Sequence, residues 1–126
     1  MRKIWIVDDD AEMTRAMQLM LGLLDCEATP FNSARSGAQS LLAGGRPELI
    51  ILDINMPEVS GLDMLEFVRR RKEWRHLPVV MLSTEAQDVT VDRALTLGAD
   101  GYLMKPVTIE ELDRVITGAL EKRRKG

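Results

Sequence analysis

The sequence predicts an α/β fold: one five-stranded parallel sheet with helices on both faces. Three observations carry this. Short apolar runs alternate five times with stretches of helical spacing, and strict alternation calls for crossover connections and hence parallel strands. One run, Leu49-Ile50-Ile51-Leu52, is apolar at every position, as a central strand covered on both faces must be. The polar residues that end the runs stand repeatedly at their carboxyl ends.

Ile4-Trp5-Ile6-Val7 is the first strand. Met13, Ala16, Met17, Met20 and Leu24 then recur at helical spacing and predict an amphipathic helix, with Asp10 as its cap. Cys26 to Phe31 is a weaker strand whose Pro30 cannot donate to a ladder, which argues for the sheet edge. Ala38, Leu41 and Leu42 mark a short second helix, stopped by Gly44-Gly45. After the strand Leu49–Leu52, Leu62, Leu65 and Val68 seed a third helix, and Val79 to Leu82 form a strand. Val91, Ala94 and Leu95 give a fourth helix ending at Gly98, and Tyr102-Leu103-Met104 the last strand. Ile109, Leu112, Ile116, Ala119 and Leu120 give the final helix, with Thr108 and Glu111 spaced as a capping box. The pattern is (βα) repeated five times, a doubly wound sheet.

At 126 residues the chain is read as one domain spanning 1–126. Its 45% hydrophobic content is enough to oppose ordering entropy, which excludes intrinsic disorder. No apolar run approaches the ~18 residues of a spanning helix, and Asp8 comes too early for a secretory signal. A lone cysteine, Cys26, makes no internal disulfide and reads as a buried small hydrophobe. His76 reads as a loop residue, Trp5 and Trp74 as packing, and the eight methionines as core filler. With 17 basic and 20 acidic residues the net charge is −3, which argues against direct nucleic-acid binding. The basic runs Arg69–Lys72 and Lys122–Lys125 close predicted helices and are read as solvated helix ends.

Asp8-Asp9-Asp10, Asp53, Ser83-Thr84 and Lys105 all end strands, so a parallel sheet gathers them on one edge. Ligands of open α/β sheets bind there, where strand order reverses; in the common order 2-1-3-4-5 the first and third strands flank that point. Asp8 and Asp9 then face Asp53. Like charges this close repel by about 4 kcal/mol per pair at an effective dielectric of 20, so a cation belongs among them. Lys105 supplies one, and an all-oxygen set suits Mg²⁺. The constellation fits phosphoryl transfer to a carboxylate nucleophile. Asp53 attacks, the metal and Lys105 each take a phosphoryl oxygen, and the Ser83 hydroxyl with the Thr84 N–H takes the third. The product is an acyl phosphate.

Val-Asp-Asp at 7–9, Asp-Ile-Asn-Met-Pro at 53–57 with Gly61, Ser83-Thr84 and Lys105-Pro106 resemble the receiver domain of two-component response regulators. The resemblance runs from Lys3 to about Lys122. It implies the flavodoxin-like receiver fold with order 2-1-3-4-5. Asp53 is then the phosphoacceptor, Asp9 a direct Mg²⁺ ligand, Asp8 one acting largely through water, and the Asn55 carbonyl the last protein ligand. Lys105 binds the phosphoryl group, and Ser83 and Tyr102 rearrange on activation. Lys105–Pro106 corresponds to a cis peptide. The implied role is a phosphorylation-activated switch that changes partner binding through its fourth helix, fifth strand and fifth helix. It is a signalling domain of the cytoplasm and not an enzyme in its own right. Partners are a sensor histidine kinase or phosphotransfer protein and an output partner, with a phosphorylation-dependent dimer as a further option.

This chain departs from the family pattern at three places. Thr84 stands where Ala or Gly is usual and narrows access to the phosphoryl group. Val107 replaces the common aromatic after Lys-Pro, and Ser60 occupies an often acidic position. Asn55 and Glu85 resemble the pair of fast-turnover chemotaxis-type members, implying rapid dephosphorylation. Arg114 sits beside position 115, where the transcription-factor dimer carries a basic residue, which argues against that dimer. The chain reads equally as a stand-alone receiver or as one cut from a regulator with a DNA-binding or enzymatic output domain. An Asp-nucleophile phosphatase of the dehalogenase type needs a second acid where Asn55 stands. A flavodoxin-like cofactor binder needs a phosphate loop where Asp8–Asp10 would repel it.

Overall fold

The computed structural model describes residues 1–84 and 88–125. The strands are β1 (Arg2–Val7), β2 (Cys26–Phe31), β3 (Leu49–Asp53), β4 (Val79–Ser83) and β5 (Gly101–Met104). The helices are α1 (Ala11–Leu23), α2 (Ala34–Leu42), α3 (Gly61–Arg70), α4 (Asp88–Thr96) and α5 (Ile109–Lys125), with a single 3₁₀ turn at Lys72–Trp74. All strand pairs are parallel and the sheet order is β2-β1-β3-β4-β5. The predicted fold class and strand order are those of the structure.

Alternation along the strands divides the core in two. Ile4, Ile6, Leu49, Ile51, Val80, Leu82 and Leu103 face α1 and α5, meeting Met17, Leu21, Leu112 and Ile116. Val7, Ile50, Leu52, Val79 and Met81 face the other way, toward Leu41 of α2, Met64, Leu65 and Val68 of α3, and Ala94 of α4. β3 is buried at all five positions, which is why its residues show no alternation in sequence. β2 lies at the edge, where Pro30 pairs with Ile6 and its missing N–H faces no neighbouring strand. Trp5 packs at a tilt against Phe31 and Trp74 against Phe67, as packing residues. Cys26 is buried, and burial raises its thiol pKa.

Helix starts follow the expected chemistry. Asp10 accepts hydrogen bonds from the Glu12 and Met13 amides at 3.0 and 3.3 Å, Thr108 from Glu111 at 3.2 Å, and Ser60 from Asp63 at 3.2 Å. Ser60 is thus the cap of α3, a role that an acidic side chain also fills. α2 begins one turn before the predicted apolar stripe, at Ala34, capped by Ser33. Met64 and Val7 approach to 3.2 Å of where a Cβ on Gly37 would stand, so the buried face of that first turn carries only Ala34 and a glycine, too little apolar surface to read as a stripe.

The reading of Arg69 and Arg123 as solvated helix ends is corrected. Both reach the fully buried carboxylate of Asp100, at 2.8 and 2.7 Å. Among the described residues no helix is long and apolar enough to cross a membrane.

Candidate functional site

Strand ends build the site. Beyond β1 the ladder continues one step, the Asp8 N–H donating to Phe31 O at 3.0 Å. That step turns the Asp8 side chain into the edge, where it is buried and its Oδ1 accepts from the Asp10 N–H at 2.9 Å. Asp9 is exposed above it. β3 delivers Asp53, itself buried. The following residue is held across to β4 by Ile54 N–H to Leu82 O, 2.9 Å, and receives Gly61 N–H at 3.1 Å on its own carbonyl. A Cβ on Gly61 would lie 2.1 Å from Asp53 O, so α3 starts against the backbone of Asp53 only because residue 61 has no side chain.

Carboxylate oxygens of Asp8, Asp9 and Asp53 all lie within 4.8 Å of one another. Lys105 Nζ sits between two of them, 3.2 Å from Asp8 Oδ2 and 3.5 Å from Asp53 Oδ2. The first contact is an ion pair: Asp8 Oδ2 is buried and, among the described residues, has no hydrogen-bond partner. The Asp53 carboxyl is pushed up to about 6, by burial first and then by the Asp8 charge, with Lys105 and the Asn55 N–H (3.4 Å) pulling it back. For Lys105, burial opposes its charge, but Asp53 and Asp8 outweigh it and raise its pKa. One ammonium among three carboxylates leaves the edge electronegative. Together with the unsatisfied Asp8 oxygen and an all-oxygen donor set, this fits a hard divalent cation such as Mg²⁺.

β4 ends at Ser83, fully buried, whose carbonyl accepts the Lys105 N–H at 2.8 Å. This bond places Lys105 beside β4. Ser83 shares its sheet face with Met81, which pairs in register with Tyr102. Both serine and tyrosine therefore look toward the α3–α4 layer, and Tyr102 packs half-buried against that core. Thr84 is exposed. It lines a cavity of about 350 Å³ with Asp8–Asp10, Asp53, Asn55 and Lys105. Of the predicted site residues, Asp8, Asp9, Asp53, Asn55, Thr84 and Lys105 line this edge together; the alternation of the strand turns Ser83 inward, and Tyr102 lies within β5 against the α3–α4 core. Glu85 lies outside the described residues. The Lys105–Pro106 peptide is cis, and Val107 packs on the α1–α5 core.

Two features went unread in the sequence: the contact of Gly61 with Asp53, and the Arg69–Asp100–Arg123 cluster at the opposite edge. A glycine eight residues after the strand end and an aspartate immediately before a strand were the only available signals.

The family model described as response regulator receiver domain matches residues 4–117. The chain belongs to this family. Receivers are signalling domains of two-component response regulators. The chemotaxis protein CheY of Pseudomonas aeruginosa is 33% identical over 95% of this chain and 97% of its own length. The transcriptional regulatory protein CpxR of Klebsiella pneumoniae is 37% identical over 97% of this chain but only 50% of its own length. Across such relatives the share matched by this chain runs from 16% to 97%. Among solved structures, a response regulator from Chloroflexus aurantiacus superposes with a TM-score of 0.90 at 25% identity, covering 95% of this chain and 98% of that one. Chemotaxis regulator CheY4 of Vibrio cholerae gives 0.84 at 27%.

Proposed function

We propose that this receiver is a phosphorylation-activated switch, with Asp53 accepting the phosphoryl group from the phosphohistidine of a sensor kinase or phosphotransfer protein, or from a small acyl phosphate. The observation that carries this reading is the buried Asp53 carboxylate held within ion-pair reach of Lys105 and within 4.8 Å of Asp8 and Asp9. Asp8, Asp9 and Asp53, with the Asn55 carbonyl, are the residues that would hold Mg²⁺. Bound there, the ion would neutralise charge developing on the phosphoryl oxygens.

In the transfer an Asp53 oxygen forms the new O–P bond as the donor's N–P or O–P bond breaks, and the donor leaves with the electron pair. The Asp53 carboxyl must be ionised to attack, which above its pKa of about 6 it is. Lys105 already points at this oxygen, so its ammonium needs little reorganisation to pair with a phosphoryl oxygen. The Thr84 N–H and the Ser83 hydroxyl supply the remaining donors, the serine by turning from its inward position. Tyr102, on the same sheet face, would follow into the space vacated, altering the α4–β5–α5 surface that an output partner or a second copy reads. The acyl phosphate then hydrolyses and resets the switch. Cytoplasmic kinases are the donors this scheme calls for. The CpxR relationship adds a second reading, in which the same switch controls an output domain on a longer chain.

Intact mass after incubation with acetyl phosphate and Mg²⁺ tests the proposal. One phosphoryl group gained by the wild type and none by Asp53→Asn is the expected result. No gain, or equal gain in both, would overturn it.

A further inference from the structure

A second cluster of buried charge lies at the other end of β5. The Asp100 side chain is fully buried and accepts three hydrogen bonds. Its Oδ2 takes Arg69 Nη2 at 2.8 Å and the Val79 N–H at 2.9 Å, and its Oδ1 takes Arg123 Nε at 2.7 Å. The same two arginines converge on Gly98 O, from Arg69 Nε at 3.0 Å and Arg123 Nη2 at 3.3 Å. Arg69 closes α3 on one face of the sheet, and Arg123 stands in the last turns of α5 on the other. The cluster thus fastens both helical layers to the corner between α4 and β5. Arg123 lies beyond the residues that the family model matches.

β5 is only four residues long, with Asp100 at its amino end and Lys105 at its carboxyl end. Five residue steps at about 3.3 Å span roughly 16 Å. Each end is bonded to β4, Asp100 N–H to Val79 O and Lys105 N–H to Ser83 O, both at 2.8 Å. Lys105 ion-pairs with Asp8 and Asp53, and Asp100 with Arg69 and Arg123. The strand is thus tied by hydrogen bonds and charge at both ends.

We propose that β5 couples the two ends of the sheet: a phosphoryl group on Asp53, by re-pairing Lys105, shifts the Arg69–Asp100–Arg123 cluster and with it the seating of the last turns of α5. Arg123 is a positioning residue in this scheme. The inference rests on the phosphoacceptor reading of Asp53.

Coupling between sites is reciprocal in binding free energy, which supplies the test. Beryllofluoride, as a phosphoryl mimic, is titrated at fixed Mg²⁺ into the wild type, Arg123→Gln and Arg123→Lys, while ¹H–¹⁵N spectra follow the Arg123 Nε–H signal of the wild type. The signal should shift in step with binding. Arg123→Gln should change the beryllofluoride Kd by about fivefold or more, and Arg123→Lys should lie closer to wild type. A stationary Nε–H signal, or a Kd in Arg123→Gln within about twofold of wild type, overturns the coupling even if that variant is less stable. If Arg123→Gln does not fold, the wild-type signal decides alone. Failure of the wild type to bind beryllofluoride would overturn the phosphoacceptor reading and this inference with it.

Discussion

Lys105 Nζ lies 3.2 Å from Asp8 Oδ2, yet among the described residues that buried oxygen has no hydrogen-bond partner. The lysine balances charge at the edge without satisfying the oxygen it balances. Lys105→Met leaves Asp8 and Asp53 facing one another without a counter-ion. In a metal-free buffer at pH 7 it should unfold more easily by up to about 3 kcal/mol, the lower end of the range for a buried ion pair that loses one partner, since Lys105 is partly exposed. Mg²⁺ should restore the loss and bind the variant more tightly than the wild type, since no ammonium competes with it. Urea unfolding with and without Mg²⁺ measures both, and a variant as stable as wild type in EDTA would contradict the charge balance described.

The fold was legible because each strand announces itself independently. Leu49–Leu52 has no polar position, Pro30 confines β2 to the edge, and chemistry stands at the ends of the first, third, fourth and fifth runs. The gathering of the candidate residues was legible for the same reason, since a parallel sheet gathers its carboxyl ends. Contacts made by absence or at long range were not. Gly37 and Gly61 matter for the space they leave, which a pattern of apolar residues does not record. Arg69 and Asp100 are 31 residues apart, so a run of arginines at a helix end looked solvated until its buried partner was seen. The differing exposure of Ser83 and Thr84 depends on which way the strand leaves the sheet, one residue beyond where alternation can be read.

Asp53→Asn should stabilise the metal-free protein at neutral pH. The folded-state pKa of about 6 lies above the ordinary 3.8, so the native state holds this proton more tightly than the unfolded chain does. Any stability it contributes is therefore complete below about pH 4 and lost as pH rises through about 6. Two units of difference correspond to about 3 kcal/mol. The asparagine variant should exceed wild type by up to that amount at pH 7.5 in EDTA, and the two should converge near pH 4. Equal stability at both pH values would show that Asp53 titrates normally.

Gly61→Ala places a methyl group where Asp53 O stands 2.1 Å away. Backbone, not a flexible side chain, must move. Overpacking of this kind costs about 1–3 kcal/mol, and an ångström of displacement at a reacting group costs on the order of a hundredfold in rate. Thermal unfolding together with the rate of phosphoryl uptake from acetyl phosphate separates the two effects. Uptake at the wild-type rate would mean that the start of α3 yields without disturbing Asp53.

Thr84 stands exposed at the mouth of the cavity that Asp53 lines. In the proposed switch a donor and an attacking water reach Asp53 through this cavity, past the Thr84 methyl and hydroxyl. Thr84→Ala keeps the backbone N–H available to a phosphoryl oxygen and removes only the obstruction. Hydrolysis of the phosphorylated protein should speed up by roughly three- to tenfold, a barrier change of about 1 kcal/mol. Uptake from a phosphohistidine protein should gain more than uptake from acetyl phosphate, because the larger donor meets the side chain first. Mass spectrometry against time, with each donor in turn, measures all three rates. Faster hydrolysis with unchanged uptake from both donors would place the obstruction on the path of water alone, and three unchanged rates would show that Thr84 leaves the passage open.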